Sequence, residues 1–255
     1  MTRLWMPALL LSYALLLLMG PQLMPLIQKA VAASGAPATP HAHPFVDTRA
    51  WLGLPNAADT LSNLPFAVLG GWLLLRLRRV LLSRVQHRCL SVLAWGLLLT
   101  ALGSGLYHWA PTAQTLVADR LGMAVLFAGV LGLAVTERGL SAAAPQVLAL
   151  MLPLGALAAA LPLWGNVLPW ALVQYGGVLA LVGLALRQLQ PGALGVRWAW
   201  VLAGYGLAKL CENQDAAIFA LSGEWISGHT LKHLAAAAAV VPVLWPLRGR
   251  GVRAS

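Results

Sequence analysis

The sequence predicts an all-α, polytopic membrane protein: a seven-transmembrane-helix core plus one extra N-terminal transmembrane helix. Three observations predict it. Of 255 residues, 60% are hydrophobic and only 9% charged, against about 25% charged in ordinary soluble domains. Mean hydropathy is +0.77. The apolar runs approach the roughly 20 residues that a helix needs to cross a bilayer, and they are continuous rather than alternating as barrel strands are. The formal charge of +10 is explained by the basic residues that collect in cytoplasmic loops and fix orientation, so no nucleic-acid partner is expected.

The first apolar stretch, LWMPALLLSYALLLLMGPQLMPLI, exceeds the roughly 7–15 residues of a signal-peptide core. Residues 1–29 are therefore expected to be an uncleaved anchor, with a cleaved signal peptide as the alternative. Residues 30–57 read as a non-cytoplasmic linker. The small-residue and proline-rich ASGAPATPHAHP within it suits a semi-flexible chain, and its His41 and His43 read as solvated. The core, residues 58–247, divides into segments near 58–75, 89–108, 117–136, 144–163, 167–186, 198–220 and 228–247, each placed to within roughly 2–4 residues. Residues 248–255 form a basic tail.

Arginine fixes the orientation. Arg3, Arg76, Arg78, Arg79, Arg84, Arg88, Arg138, Arg187, Arg197, Arg248, Arg250 and Arg253 all fall on one side if the segments simply alternate. The opposite loops HWAPTAQ, LWGNVLP and SGEWISG hold no lysine or arginine, and the long linker holds only Lys29 and Arg49. Both termini are thus expected in the cytoplasm. The preference for arginine, 14 against 3 lysines, points to a GC-rich, bacterial source and so to a cytoplasmic membrane with a periplasmic site.

Ionisable residues inside spanning helices cost about 2.5–3.5 kcal/mol each on insertion scales and mark function by default. Three regions hold most of them: GSGLYHWAPTAQTLVADRLGM, KLCENQDAAIF and GHTLKH. Ser104 and His108 are four residues apart, hence on one helix face, as are His229 and His233, about 6 Å apart along the axis. Asp119 opens the following helix. All lie towards the arginine-poor side, as do Lys209, Glu212, Asn213 and Asp215. Three neutral imidazoles with a carboxylate nearby suit a catalytic zinc site, where the metal brings the pKa of water down to about 7 and the carboxylate acts as base.

Blander readings exist for each residue. His-x-x-x-His pairs also make hydrogen bonds across a bundle, Asp119 could cap its helix beside Arg120, and Ser104 among glycines could be packing glue. Lys232 reads as snorkelling to the interface or pairing with Glu224. His87 reads as solvated or lipid-facing, Cys89 and Cys211 as buried inert thiols, and Trp51, Trp109, Trp164, Trp170, Trp225 and Trp245 as interfacial belts.

GSGLYH, the aspartate of ADRLGM eleven residues after its histidine, and HTLKH in the last helix resemble the alkaline ceramidase family, part of the CREST group of seven-helix membrane hydrolases. DTLSNLPF resembles the family's first core helix and CENQDAAIF its sixth, so the likeness covers about residues 56 to 247. The resemblance implies zinc on His108, His229 and His233, with Asp119 activating water and Ser104 assisting. It also implies a ceramide-like membrane lipid, cleaved at its N-acyl bond to a fatty acid and a sphingoid-type base. The family's acidic calcium cluster is matched only by Asp47, Asn56 and Asp59 at a different spacing, which leaves calcium as a secondary expectation.

Three rivals are carried. An adiponectin-receptor-like protein would share the histidines but place them towards the cytoplasm. A transporter would line a conduction path with Lys209, Glu212, Asp215 and the histidines. A rhomboid-type serine protease would need a base motif on a second helix, which the residues around Ser104 lack.

Overall fold

The computed structural model describes residues 5–33 and 45–251, within which all regular structure is helical and no strand forms. Twelve α-helices follow in order. They are α1 (Trp5–Ala33), α2 (Ala57–Leu61), α3 (Leu64–Leu77), α4 (Arg84–Trp109), α5 (Ala113–Glu137), α6 (Ala144–Ala160), α7 (Leu168–Ala171), α8 (Gly177–Ala185), α9 (Trp198–Asn213), α10 (Asp215–Leu221), α11 (Gly228–Ala238) and α12 (Val241–Arg248). A π-helical turn, Leu172–Gly176, joins α7 to α8. Arg3, His41, His43 and Arg253 lie outside the described residues.

Among the described residues, seven helical stretches are long and apolar enough to cross a membrane: Met6–Ala30, Ala57–Leu77, Arg84–Trp109, Ala113–Glu137, Ser141–Trp164, Leu168–Ala185 and Gly228–Arg248. Their flanks expose Leu64, Val68, Leu75, Trp95, Leu102 and Leu179, each more than half accessible. Apolar side chains carried outward over helix after helix require a hydrocarbon solvent. The segment read as 198–220 is the exception. It breaks at Gln214 into α9 and α10, because the run Glu212 to Asp215 is polar and the Asp215 carboxylate leaves its own helix to accept the backbone N–H of His229 at 2.8 Å.

The centre of the bundle is the antiparallel pair α4 and α5, and glycine lets their backbones touch. A Cβ on Gly122 would stand 2.4 Å from the Thr100 nitrogen, one on Gly96 2.4 Å from the Leu126 nitrogen, and one on Gly103 2.3 Å from the Ala118 oxygen. Small residues are the means by which membrane helices approach closely. Around this pair Leu73, Leu90, Leu93, Leu97, Ala128 and Leu133 are fully buried.

The arginine-rich end is closed by backbone acceptors. Arg76 donates to the carbonyls of Leu247, Arg248 and Arg250, and Arg138 to that of Arg187. Glu137, wholly buried at the end of α5, accepts the N–H groups of Leu194, Gly195 and Val196. At the other end the linker is less free than expected. It is anchored at points, with Asp47 and Asn56 buried: Arg49 clamps both Asp47 oxygens at 2.7 Å and donates to the Trp225 carbonyl. The guanidinium holds the Asp47 carboxyl below its ordinary value.

Of the tryptophans read as interfacial, Trp51, Trp109, Trp164, Trp225 and Trp245 are exposed. Trp170 is not: it is buried under the guanidinium of Arg120, 5.7 Å from the ring centre. Cys89 and Cys211 are buried free thiols. His87 is in the first turn of α4, exposed, beside Ser91.

Gly122→Leu should lower the unfolding temperature in detergent, since overpacking costs about 1–3 kcal/mol or more where backbone is the neighbour. Gly71→Ala, whose added Cβ meets nothing within 4 Å, should leave it unchanged or raise it slightly.

Candidate metal centre

At the end of the bundle opposite the arginines, three imidazoles meet. His108 lies in the last turn of α4, 22 residues and so about 33 Å along the helix from Gln86 at the basic end. His229 and His233 lie in the first two turns of α11. One ring nitrogen from each falls within 4.8 Å of the others, and all three residues are buried. Ring centres are separated by 4.8 to 4.9 Å. This is the one such group of three or more histidine, cysteine or acidic residues among those described.

Each histidine is held from outside the trio. Ser62 Oγ donates to the Asp59 carbonyl at 2.8 Å and stands 2.7 Å from His233 Nδ1. With that hydroxyl proton committed to the carbonyl, His233 carries its own proton on Nδ1 and turns Nε2, a lone pair, to the centre. Asn56 Nδ2 donates to the His108 carbonyl at 2.7 Å, fixing the end of α4. Ser227 caps α11, and both it and Thr230 donate to Asp59 Oδ1, at 3.2 and 2.6 Å. Gly228 permits the start of α11 to press on the break in the preceding helix: a Cβ there would stand 2.2 Å from the Cys211 oxygen. Phe45 packs on two of the three, with ring-centre distances of 4.8 Å to His108 and 6.0 Å to His229.

The arrangement fits a metal ion. His108 Nδ1 is buried with no hydrogen-bond partner among the described residues, a state that costs about 1–3 kcal/mol and that coordination relieves. Three imidazoles form a donor set suited to zinc with one position left open. The residues read as a secondary calcium set have other partners. Asp47 is committed to Arg49, Asn56 turns its amide donor to His108, and Asp59 serves Ser227 and Thr230. Asn56 and Asp59 thus belong to the frame of the histidine site.

Asp119 and Ser104 come together as the spacing suggested. Asp119 does not cap α5, a task done by Thr112 in a reciprocal capping box with Thr115. It sits in the second turn, facing Ser104, and both line a cavity with His233, Asn63 and Thr100. The cavity continues between α5, α9 and α11 past Met123, Phe127, Val130, Leu181, Val201 and Val243, about 16 Å along α5. About 140 Å³ of it is reachable by the centre of a water molecule.

The sequence reading misplaced Lys232. It neither reaches Glu224 nor snorkels outward; it pairs with Glu212 at 3.1 Å, and Glu212 also binds Lys209. All three line the cavity. Phe45, Ser62 and Thr230 escaped the sequence reading altogether. Of these only Ser62 carried a usable signal, since it follows Asp59 by three residues on one helical face.

His108→Ala is expected to abolish high-affinity zinc binding measured by metal competition on the purified protein. Ser62→Ala should weaken it by about 10–100-fold, the usual cost of losing an outer partner of a metal histidine. Compared with protein-family models, with curated proteins and with solved structures, the chain matches no family, no curated protein and no solved structure.

Proposed function

We propose that the protein is a zinc-dependent intramembrane hydrolase that cleaves the N-acyl bond of a ceramide-like membrane lipid. One observation carries the reading: His233, Asp119 and Ser104 open onto one cavity that also holds Lys209, Glu212 and Lys232 and runs on past Met123, Phe127, Val130, Leu181, Val201 and Val243. A polar reacting end joined to an apolar channel is the shape of an amide-linked acyl lipid. The three histidines would hold the metal. Zinc, when bound there, supplies Lewis acidity near the amide carbonyl.

The chain's own residues divide the remaining work. Asp119 takes a proton from the water that attacks the carbonyl carbon and returns it to the amine nitrogen as the C–N bond breaks, giving a fatty acid and a free amine. Ser104 donates a hydrogen bond to the oxygen that gains charge, or orients Asp119. Phe45 excludes bulk water from above, and the walls from Met123 to Val130 receive the acyl chain.

In this reading the broken pair α9 and α10 is an eighth crossing, which completes a seven-helix core after α1. The arginine-rich end faces the cytoplasm and the histidines face the periplasm. A receptor-like relative would orient the other way. A reporter fused after residue 251 should be active only in the cytoplasm; activity outside would favour the receptor-like reading.

Asp119→Asn is expected to retain one equivalent of zinc while turnover of an N-acyl lipid in detergent falls by about 10²–10⁴, the range for loss of a general base. Full turnover in that variant would remove Asp119 from the mechanism. A transporter, by contrast, would show no fatty-acid release in detergent and would need a sealed vesicle.

A further inference from the structure

The charged groups of the cavity answer one another, with Glu212 pairing both Lys209 and Lys232, and Gln174 spends its amide on the Tyr205 hydroxyl. Two neutral groups on the same wall are left over. Asn63 Oδ1 and Thr100 Oγ1 are buried with no hydrogen-bond partner among the described residues. Asn63 is 2% exposed and Thr100 4%. The proposed hydrolysis uses neither.

Both atoms are held where they stand. Asn63 gives its amide N–H to the Asp59 carbonyl at 2.9 Å, so the side-chain oxygen, an acceptor, is what it turns elsewhere. A threonine inside a helix ordinarily donates to a carbonyl three or four residues earlier, as Thr136 does to Leu133 at 2.7 Å. Thr100 makes no such bond. Its backbone lies against Gly122, where an added Cβ would meet the Thr100 nitrogen at 2.4 Å, so the hydroxyl cannot drift from the wall. Helix α3 runs antiparallel to α4: Gly70 lies against Ala94 and Leu97, while Asn56, earlier in the chain, reaches the His108 carbonyl. Asn63, midway between Asn56 and Gly70, is thus level with the turn from Thr100 to Ser104.

An acceptor and a hydroxyl at one level fit one kind of ligand group. A hydroxyl has one proton to give and lone pairs to receive: it donates to Asn63 Oδ1 and accepts from Thr100 Oγ1. A carboxylate would set like charge against the Asn63 oxygen, an N–H would leave the threonine proton unused, and a methylene would serve neither. Ser104 is four residues on from Thr100, about 6 Å nearer the histidines, and beyond Thr100 the cavity continues along Phe127 and Val130. With Ser104 at the amide carbonyl, Asn63 and Thr100 fall on the acyl side. We infer that this pair, one helical turn below Ser104, binds a hydroxyl on the second or third carbon of the acyl chain, so that the substrate is an N-(hydroxyacyl) lipid. The position along the chain rests on the amide-hydrolase reading of the site; the demand for a hydroxyl rests on the two unpaired atoms.

The test uses the full chain in dodecyl maltoside micelles, with N-palmitoylsphinganine, N-(2-hydroxypalmitoyl)sphinganine and N-(3-hydroxypalmitoyl)sphinganine as ligands that share one amine portion. Equilibrium binding should favour one of the hydroxy lipids over the plain one roughly tenfold, the scale of leaving a buried polar group without its partner. Thr100→Val, which keeps the shape of the side chain, should bring that ratio towards one, and Thr100→Ser should preserve it. Asn63→Leu should lower it as well; where that variant fails to fold, Thr100→Val decides. Equal affinities for all three lipids in the unmodified protein would mean that the pair holds only water and would overturn the subsite, as would a preference that survives Thr100→Val. Fatty-acid release is measured in parallel. Preference in binding without release would overturn hydrolysis and leave the hydroxyl subsite standing; release without preference would do the reverse.

Discussion

Asp59 is the interaction from which the histidine end is built. It is completely buried on the short helix α2 and takes both Ser227 and Thr230 on a single oxygen, tying α2 to the first turn of α11. That one tie sets where His229 and His233 begin their helix. Its neighbours finish the job: Ser62 reaches His233 and Asn56 reaches the end of α4. Within hydrocarbon no water corrects a misplaced polar group, so such a frame has to be satisfied from within the protein. A five-residue helix thereby positions histidines carried by two longer helices.

Much of the site could be read in the sequence, because its parts obey short-range rules. His229 with His233 and Ser104 with His108 are i and i+4 pairs, and the arginine-poor loops placed them at one end. The apolar runs gave all seven of the membrane-length helices found. What escaped reading is what depends on approach between distant segments. Lys232 finds Glu212 twenty residues away on another helix, and no local pattern distinguishes that partner from Glu224. The break at Gln214 was hidden for a related reason: Asp215 forsakes helical continuity to bond to His229, whose position is known only once α11 is packed. Phe45 lies in a stretch whose composition suggested a loose linker, yet its ring rests on the histidines.

The two ends of the bundle solve opposite electrostatic tasks. At the basic end, guanidinium groups are spread over backbone carbonyls at helix termini, where partial negative charge accumulates. At the histidine end the donors are neutral rings, and the charges are gathered on one wall of the cavity. Lys209 and Lys232 stand on that wall, paired through Glu212.

The glycine contacts between α4 and α5 have a further meaning. Where backbone lies against backbone, the spacing of two helices is set by main-chain atoms and cannot drift with side-chain size. His108 and Ser104 ride on one member of that pair and Asp119 on the other, so their relation is fixed by the part of the protein least open to substitution. The remaining wall, made by α9, α8 and the end of the chain, meets the pair through ordinary side chains. The architecture therefore separates three positions whose spacing main-chain contact dictates, His108, Ser104 and Asp119, from a wall whose shape side chains alone decide.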